Sequence, residues 1–230
     1  MNKTYLFAGA SSAIAKQTAL HLRSQQHRVI GLTTKSPDSV YDQCLQVADY
    51  QSSSYPSIDE PIHGLVYFPG SIKLKPFLRY SEEDFIQDYK VNCLGAVSFI
   101  QAYLPNLKQR SLASVVLMSS VAAGSGMPFH SSIAMCKSAI EGLTRALAAE
   151  LAPTVRVNCV ALSLTNTPLA SALVNTPEKL EASVKRHPLK KIGDPMDIAY
   201  GIDYLLTDKS AWVSGQTLHI DGGMSSLRIL

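Results

Sequence analysis

Short apolar runs alternate with helical patterns along this chain, and few folds satisfy that order. Lys3–Ala8 is an apolar run that reaches Gly9 and two serines, after which Ile14–Leu22 repeats apolar residues at helical spacing. Further strand-like runs fall at Arg28–Leu32, near Cys44–Ala48, and at Gly64–Pro69, Ser114–Ser119, Val155–Ala161 and Thr217–Asp221. GLVYFP at 64–69 shows no polar alternation, the mark of a strand covered on both faces. Strands alternating with helices imply a doubly wound parallel sheet of seven strands, with helices on both sides, in one α/β domain spanning 1–230.

Local signals place the helices. Ser81-Glu82-Glu83-Asp84 is a capping box with Asp in the usual Glu or Gln position. It opens a helix expected to run to Leu104, stopped by Pro105. That helix, FIQDYKVNCLGAVSFIQAYL, is apolar on more than one face, which suggests cover by a second subunit. A later helix carries Ile140, Leu143, Leu147 and Leu151 as an expected core stripe. Thr176 and Asp194 each precede a proline, the pattern of an N-cap followed by the first helical residue. Between Tyr50 and His63 the chain is polar with two prolines, so a crossover helix there is short at best.

Composition narrows the function. The 230 residues are 46% hydrophobic and 17% charged, with a net charge of +3 that is not clustered. Nothing in that balance points to nucleic acid or an anionic membrane. Cys44, Cys93, Cys136 and Cys159 are widely separated in apolar surroundings, as buried reduced thiols are, and no metal-ligand spacing occurs. The N-terminus enters a strand at once, and no apolar run approaches the ~18 residues of a membrane helix. A cytoplasmic protein is expected.

The first strand–turn–helix is a place where free helix N–H groups can hold a pyrophosphate. Its turn, Ala8-Gly9-Ala10-Ser11-Ser12-Ala13-Ile14-Ala15, resembles the Thr-Gly-x-x-x-Gly-x-Gly loop of the short-chain dehydrogenase/reductase family, with Rossmann-type architecture. Gly9 is kept; Ala13 and Ala15 replace two glycines. Gly9, Ser11, Ser12 and Ile14 are the expected cofactor contacts, against the alternative of an ordinary turn that binds nothing. After the second strand come Leu32-Thr33-Thr34-Lys35, with no carboxylate for a ribose 2′-hydroxyl. Thr34 and Lys35 suit a 2′-phosphate, favouring NADP(H) over NAD(H), unless Lys35 is merely a solvated loop charge. RVIGLTTKS also resembles the matching segment of 3-oxoacyl-carrier-protein reductases. The resemblance sets Asp49 where the family caps the adenine ring, and Gly70 in Phe68-Pro69-Gly70 where it has Asn-Ala-Gly.

The catalytic segment carries the same resemblance with one gap. In the family a serine precedes a Tyr-x-x-x-Lys pair by thirteen residues. Here Ser120 is followed thirteen residues later by Ile133, and four residues on by Lys137. The resemblance implies that Ser120 polarises a substrate carbonyl, that Lys137 binds the nicotinamide ribose, and that Asn92 holds a relay water. Ile133 cannot donate a proton, and loss of a placed general acid costs about 10²–10⁴ in rate. His130, Ser131 and Ser132 are conceivable substitutes. Lys137 is either a donor through water or a ribose clamp without catalysis.

Downstream, Thr167 stands where the family's threonine meets the nicotinamide amide, while Leu162-Ser163 replaces the usual Pro-Gly. RHPLKKIGDPMDIAYGIDYLL and WVSGQTLHIDGGM resemble the C-terminal helix and last strand of the reductase branch. Two functions remain open. One is an NADP(H)-dependent oxidoreductase acting on a carbonyl, such as a 3-oxoacyl thioester, with altered or impaired proton delivery. The other is an inactive relative serving as the partner subunit of an active reductase. The resemblance also implies a homo-oligomer, dimer or tetramer, or a hetero-oligomer with a related chain.

Overall fold

The computed structural model describes residues 2–228. Seven strands form one sheet: β1 (Thr4–Ala8), β2 (Arg28–Thr33), β3 (Gln43–Gln46), β4 (Gly64–Tyr67), β5 (Ala113–Ser120), β6 (Val155–Leu162) and β7 (Thr217–Ile220). Their order is β3-β2-β1-β4-β5-β6-β7, and every pairing is parallel. The chain winds outward from β1 in one direction and then from β4 in the other. This is the expected doubly wound Rossmann-type fold, and its direction reverses between β1 and β4.

Alternate side chains of each strand feed two cores. Tyr5, Phe7, Val66, Val116 and Val160 face the side covered by α1 (Ala13–Ser24) and, with four helices between them in sequence order, α6 (Pro195–Leu206). Leu6, Leu65, Tyr67, Val115, Leu117 and Cys159 face the other side. There the cover is a segmented helix, α2 (Glu82–Tyr89) and α3 (Gly95–Lys108), together with α4 (Ser131–Leu151). The last of the helices, α5 (Pro177–Arg186), lies between β6 and α6 in sequence. Both faces of the central strands are dry, and each fully buried Leu or Phe contributes about 1.5–3 kcal/mol.

Three expectations need correction. The helix opened by the Ser81–Asp84 capping box, which does form in full, is broken by a π-helical turn at Lys90–Leu94. It then runs past Pro105 to Lys108. Packing overrides the proline: Tyr103 and Leu107 are buried, and Asn106 Nδ2 donates to Ile58 O at 2.6 Å and Glu60 O at 3.2 Å. The buried stripe of α4 is Ile140, Thr144, Ala148 and Leu151, with Leu143 and Leu147 only partly covered. Small residues let α4 approach the sheet closely, and Thr144 satisfies its hydroxyl on Ile140 O. The third strand starts one residue early and ends at Gln46.

Other local readings hold. Between Tyr50 and His63 the helical content is one short 3₁₀ turn, Ser52–Ser54. Thr176 and Asp194 cap α5 and α6, and Asp194 forms a second complete capping box with Asp197. The four cysteines are free thiols. Among the described residues no helix is long and apolar enough to cross a membrane.

Because Asp194 accepts from Met196 N at 2.8 Å and Asp197 answers the Asp194 N–H at 3.0 Å, Asp194→Ala is expected to cost about 1 kcal/mol. Urea unfolding should show a lower midpoint with an unchanged slope.

Candidate active site

The candidate loop residues follow the carboxyl ends of β1 to β6, while Asn92, Ile133 and Lys137 come from the helical layer beside that edge. That edge is where open α/β sheets bind ligands. The turn after β1 is tightly fixed. Gly9 has φ of +77°, and a Cβ there would stand 2.8 Å from the Pro69 ring. Tyr41 donates its hydroxyl to Ala10 O at 2.7 Å, tying this turn to the loop that follows β2. Ser12 is the N-cap of α1 but makes no side-chain cap bond, and the first turn of α1 carries no acid. Its N–H groups therefore stay open to an anion. Ser11 is exposed and Ser12 half-buried, whereas Ile14 and Ala15 turn into the core and Ala13 remains half-covered at the mouth.

Thr34 and Lys35 are exposed just beyond β2. Lys35 makes no ion pair among the described residues, its backbone N–H resting on Thr33 Oγ1 at 3.0 Å. Asp49 uses its carboxylate on its own loop, accepting from Gln51 N at 2.9 Å and Ser54 Oγ at 2.5 Å. Those bonds, Ser54 first, hold its carboxyl below the ordinary aspartate range. Its neighbour Tyr50 sets its phenol near Thr34 and the Gly9 backbone, with burial pushing its pKa up against those contacts. Thr167, half-buried, caps the 3₁₀ turn Pro168–Leu173 by accepting from Ala170 N at 3.3 Å.

Asn92 sits in the π turn, 1% exposed. Such turns commonly mark functional positions because they re-aim one side chain. Tyr67 of β4 donates its hydroxyl to Val91 O at 2.7 Å and braces the turn. The Asn92 amide nitrogen donates to Asp88 O at 2.8 Å and Ser71 Oγ at 3.0 Å, which turns Oδ1 the opposite way. Oδ1 is buried and has no partner. It lies 3.2 Å, and Lys137 Nζ 3.6 Å, from the point where a Cβ on Gly70 would stand. Gly70 thus keeps open a small space shared by an unpaired amide oxygen and an ammonium.

Lys137 is 8% exposed and donates to Met118 O at 2.9 Å. Burial drives its pKa down to about 8, opposed only partly by the nearby thiols of Cys93, Cys136 and Cys159. Ile133 is 5% exposed one turn earlier, on the same face of α4. Ser120, half-buried at the end of β5, accepts from Ala122 N at 3.2 Å.

The three substitute donors are held differently. His130 Nδ1 bonds Pro128 O at 2.6 Å. Ser131 Oγ is buried without a partner. Ser132 donates to Asp88 Oδ2 at 2.6 Å, and Ser71 donates to Asp88 Oδ1 at the same distance. Asp88, Ser71 and Tyr50 were not singled out in the sequence. Asp88 lies one helical turn before Asn92, a signal that was there to be read.

Burial of Lys137 has a pH consequence. Between about pH 8 and its ordinary value of 10.5 the folded chain has lost a proton that the unfolded chain still binds. Stability must therefore rise with pH across that window. The expected result is a rise in native stability from pH 8 to 10 relative to Lys137→Met, measured by paired denaturant titrations; parallel curves would refute it.

Sequence and structure comparisons identify the family and the fold. A family model described as enoyl-(acyl carrier protein) reductase matches residues 39–225. The 3-oxoacyl-[acyl-carrier-protein] reductase FabG of Thermotoga maritima is 30% identical, over 96% of this chain and 97% of that protein. The L-xylulose reductase of Bos taurus is 27% identical over 95% and 94%. Among solved structures, the ligand-free aldohexose dehydrogenase of Thermoplasma acidophilum superposes with a TM-score of 0.90 at 23% identity, covering 100% of this chain and 96% of that one. With a family model over most of its length and a relative 30% identical along nearly all of both proteins, the chain belongs to the short-chain dehydrogenase/reductase family of oxidoreductases, whose members bind nicotinamide cofactors.

Proposed function

We propose that the chain is an NADP(H)-dependent carbonyl reductase acting on a 3-oxoacyl thioester, with Lys137 and Asn92 managing the proton that a tyrosine would otherwise give. The observation that carries this reading is the convergence of the unpaired Asn92 Oδ1 and the Lys137 ammonium on the space above Gly70. A buried acceptor without a partner costs about 1–3 kcal/mol and is kept where a ligand or water satisfies it.

The residues present fit the dinucleotide. The open first turn of α1 would take the pyrophosphate, and Thr34 and Lys35 the 2′-phosphate. Tyr50 offers an aromatic wall beside Gly9, with Asp49 at the adenine end. Lys137 would hold the nicotinamide ribose, and Thr167 the carboxamide. Bound there, the reduced nicotinamide supplies a hydride. Ser120 has a hydroxyl at the β5 terminus to polarise the substrate carbonyl. Lys137, with its pKa near 8, can release a proton near neutrality through a water resting on Asn92 Oδ1. The FabG relative and the NADP-bound structure of ElxO, with a TM-score of 0.87, support this choice of substrate class and cofactor. The setting is the cytoplasm, and the working form an oligomer.

A second reading, a non-catalytic partner subunit, is favoured by two observations. Ile133 closes the position of the acid with a buried aliphatic side chain. Val91 and Leu94 on the π turn and Met135 on α4 stay exposed, as surfaces awaiting another chain do.

NADPH consumption with a 3-oxoacyl thioester separates the two. The native chain is expected to turn over slowly, Ile133→Tyr about 10²–10⁴ times faster, and Lys137→Met not at all. Bound NADPH without turnover by the native chain would favour the partner subunit. In a fluorescence titration Lys35→Glu is expected to weaken NADPH about tenfold or more, with NADH unchanged; equal effects on both would reject the 2′-phosphate role.

A further inference from the structure

A second cluster of chemical groups lies on the α6 side of the carboxyl edge. A cavity of about 230 Å³ opens there, walled by Leu189, Ile198, Tyr200 and Ile220 and floored by Ser163 and His187. None of Asn92, Ser120, Ile133 or Lys137 lines it. His187 is 3% exposed and ends α5, where its Nδ1 meets Ser183 O at 2.7 Å. A carbonyl can only accept, so this bond keeps the proton on Nδ1 and leaves Nε2 as the lone-pair nitrogen. Nε2 stands 2.8 Å from Ser163 Oγ, which therefore donates to it.

This is the relation of a nucleophile to its base, with the base oriented by a third group. A backbone carbonyl fills the place that a carboxylate holds in serine hydrolases. The backbone around Ser163 is fixed, since Thr165 Oγ1 donates to Ser163 O at 3.0 Å and Gly193 N donates to Leu164 O at 3.0 Å. The N–H groups of Leu164 and Thr165, immediately after Ser163, find no acceptor among the described residues. The residue after a nucleophilic serine is where an oxyanion donor is commonly found. Lys191, Asp197 and Asp221 also line the cavity, while the apolar stretch formed by Leu189, Ile198 and Ile220 suits a short acyl chain.

We propose that Ser163 and His187 form a second site, an acyl-accepting pair that cleaves small activated esters or thioesters independently of any nicotinamide chemistry. Ser163 Oγ bonds to the acyl carbon as its proton passes to His187 Nε2. The ester or thioester bond breaks, and the leaving alcohol or thiol takes that proton from Nε2. Water then attacks the acyl-serine, giving its proton to Nε2, and Ser163 recovers a proton as the free acid departs. No oxidant, reductant or metal enters the balance.

The test uses the full chain without cofactor and p-nitrophenyl butyrate as the probe, followed by nitrophenol release and by mass spectrometry of the Ser163 peptide. The expected result is one butyryl group on Ser163 and steady hydrolysis that falls at least about 100-fold in Ser163→Ala. His187→Gln is expected to slow acylation, and Ser163→Cys to take up butyrate again, which separates loss of the nucleophile from loss of the fold. Thermal melts within a few degrees of native qualify each variant. An unmodified Ser163 under excess ester, or hydrolysis by Ser163→Ala equal to native, would overturn the proposal and leave the pair as a tie between α5 and β6.

Discussion

A sheet buried on both faces leaves polar side chains almost nowhere to act except at the strand ends. Five of its seven strands run through two dry cores, where nearly every position is apolar or small and the exceptions, Arg156 and Asn158 of β6, are satisfied on backbone carbonyls. The chemistry is pushed to the carboxyl edge, where backbone N–H groups of α1 and the loops after β4, β5 and β6 face open space. The fold chooses that edge because parallel strands present all their carboxyl ends on one side, and the helices start there with free N–H groups. At that edge the unpaired Asn92 Oδ1 and the Lys137 ammonium meet over Gly70.

The cost of that arrangement is concentrated in Lys137. An ammonium taken out of water without a carboxylate partner is expensive, and the lowered pKa is the form in which the cost appears. The neighbouring π turn carries a related cost in the unpaired Asn92 Oδ1. A chain retaining only the fold would gain by replacing both with aliphatic groups. Beneath them Asp88, 1% exposed, is satisfied by Ser71 and Ser132. That network fixes Ser132 away from the gap left at Ile133, so this serine is occupied with structure.

Much of the architecture was legible because local rules and tertiary packing agree. The strand runs, the Ser81 capping box and the proline-led helix starts after Thr176 and Asp194 all appear where the sequence places them, to within a residue or two. The failures have a common cause. Pro105 argues for a helix end and is outweighed by the burial of Leu107. Leu143 and Leu147 have the right period but lose the deepest positions to Thr144 and Ala148, which share the buried face with Ile140 and Leu151. A π turn has no period of its own, so nothing in a helical pattern announces it.

By itself the sequence determined the order of strands and helices, the glycine at Gly9 that its left-handed turn requires, and the spacing of Ser120, Ile133 and Lys137. These are local in the chain, set by periodicity, capping and backbone sterics. Only the tertiary structure decided which groups share a space: Asn92 Oδ1 with Lys137 Nζ, Asp88 with Ser71 and Ser132, His187 with Ser163. Each of these pairings joins residues distant in the chain or aimed by an irregular turn. Their distances follow from how two helical layers settle on a twisted sheet, and no local pattern encodes that.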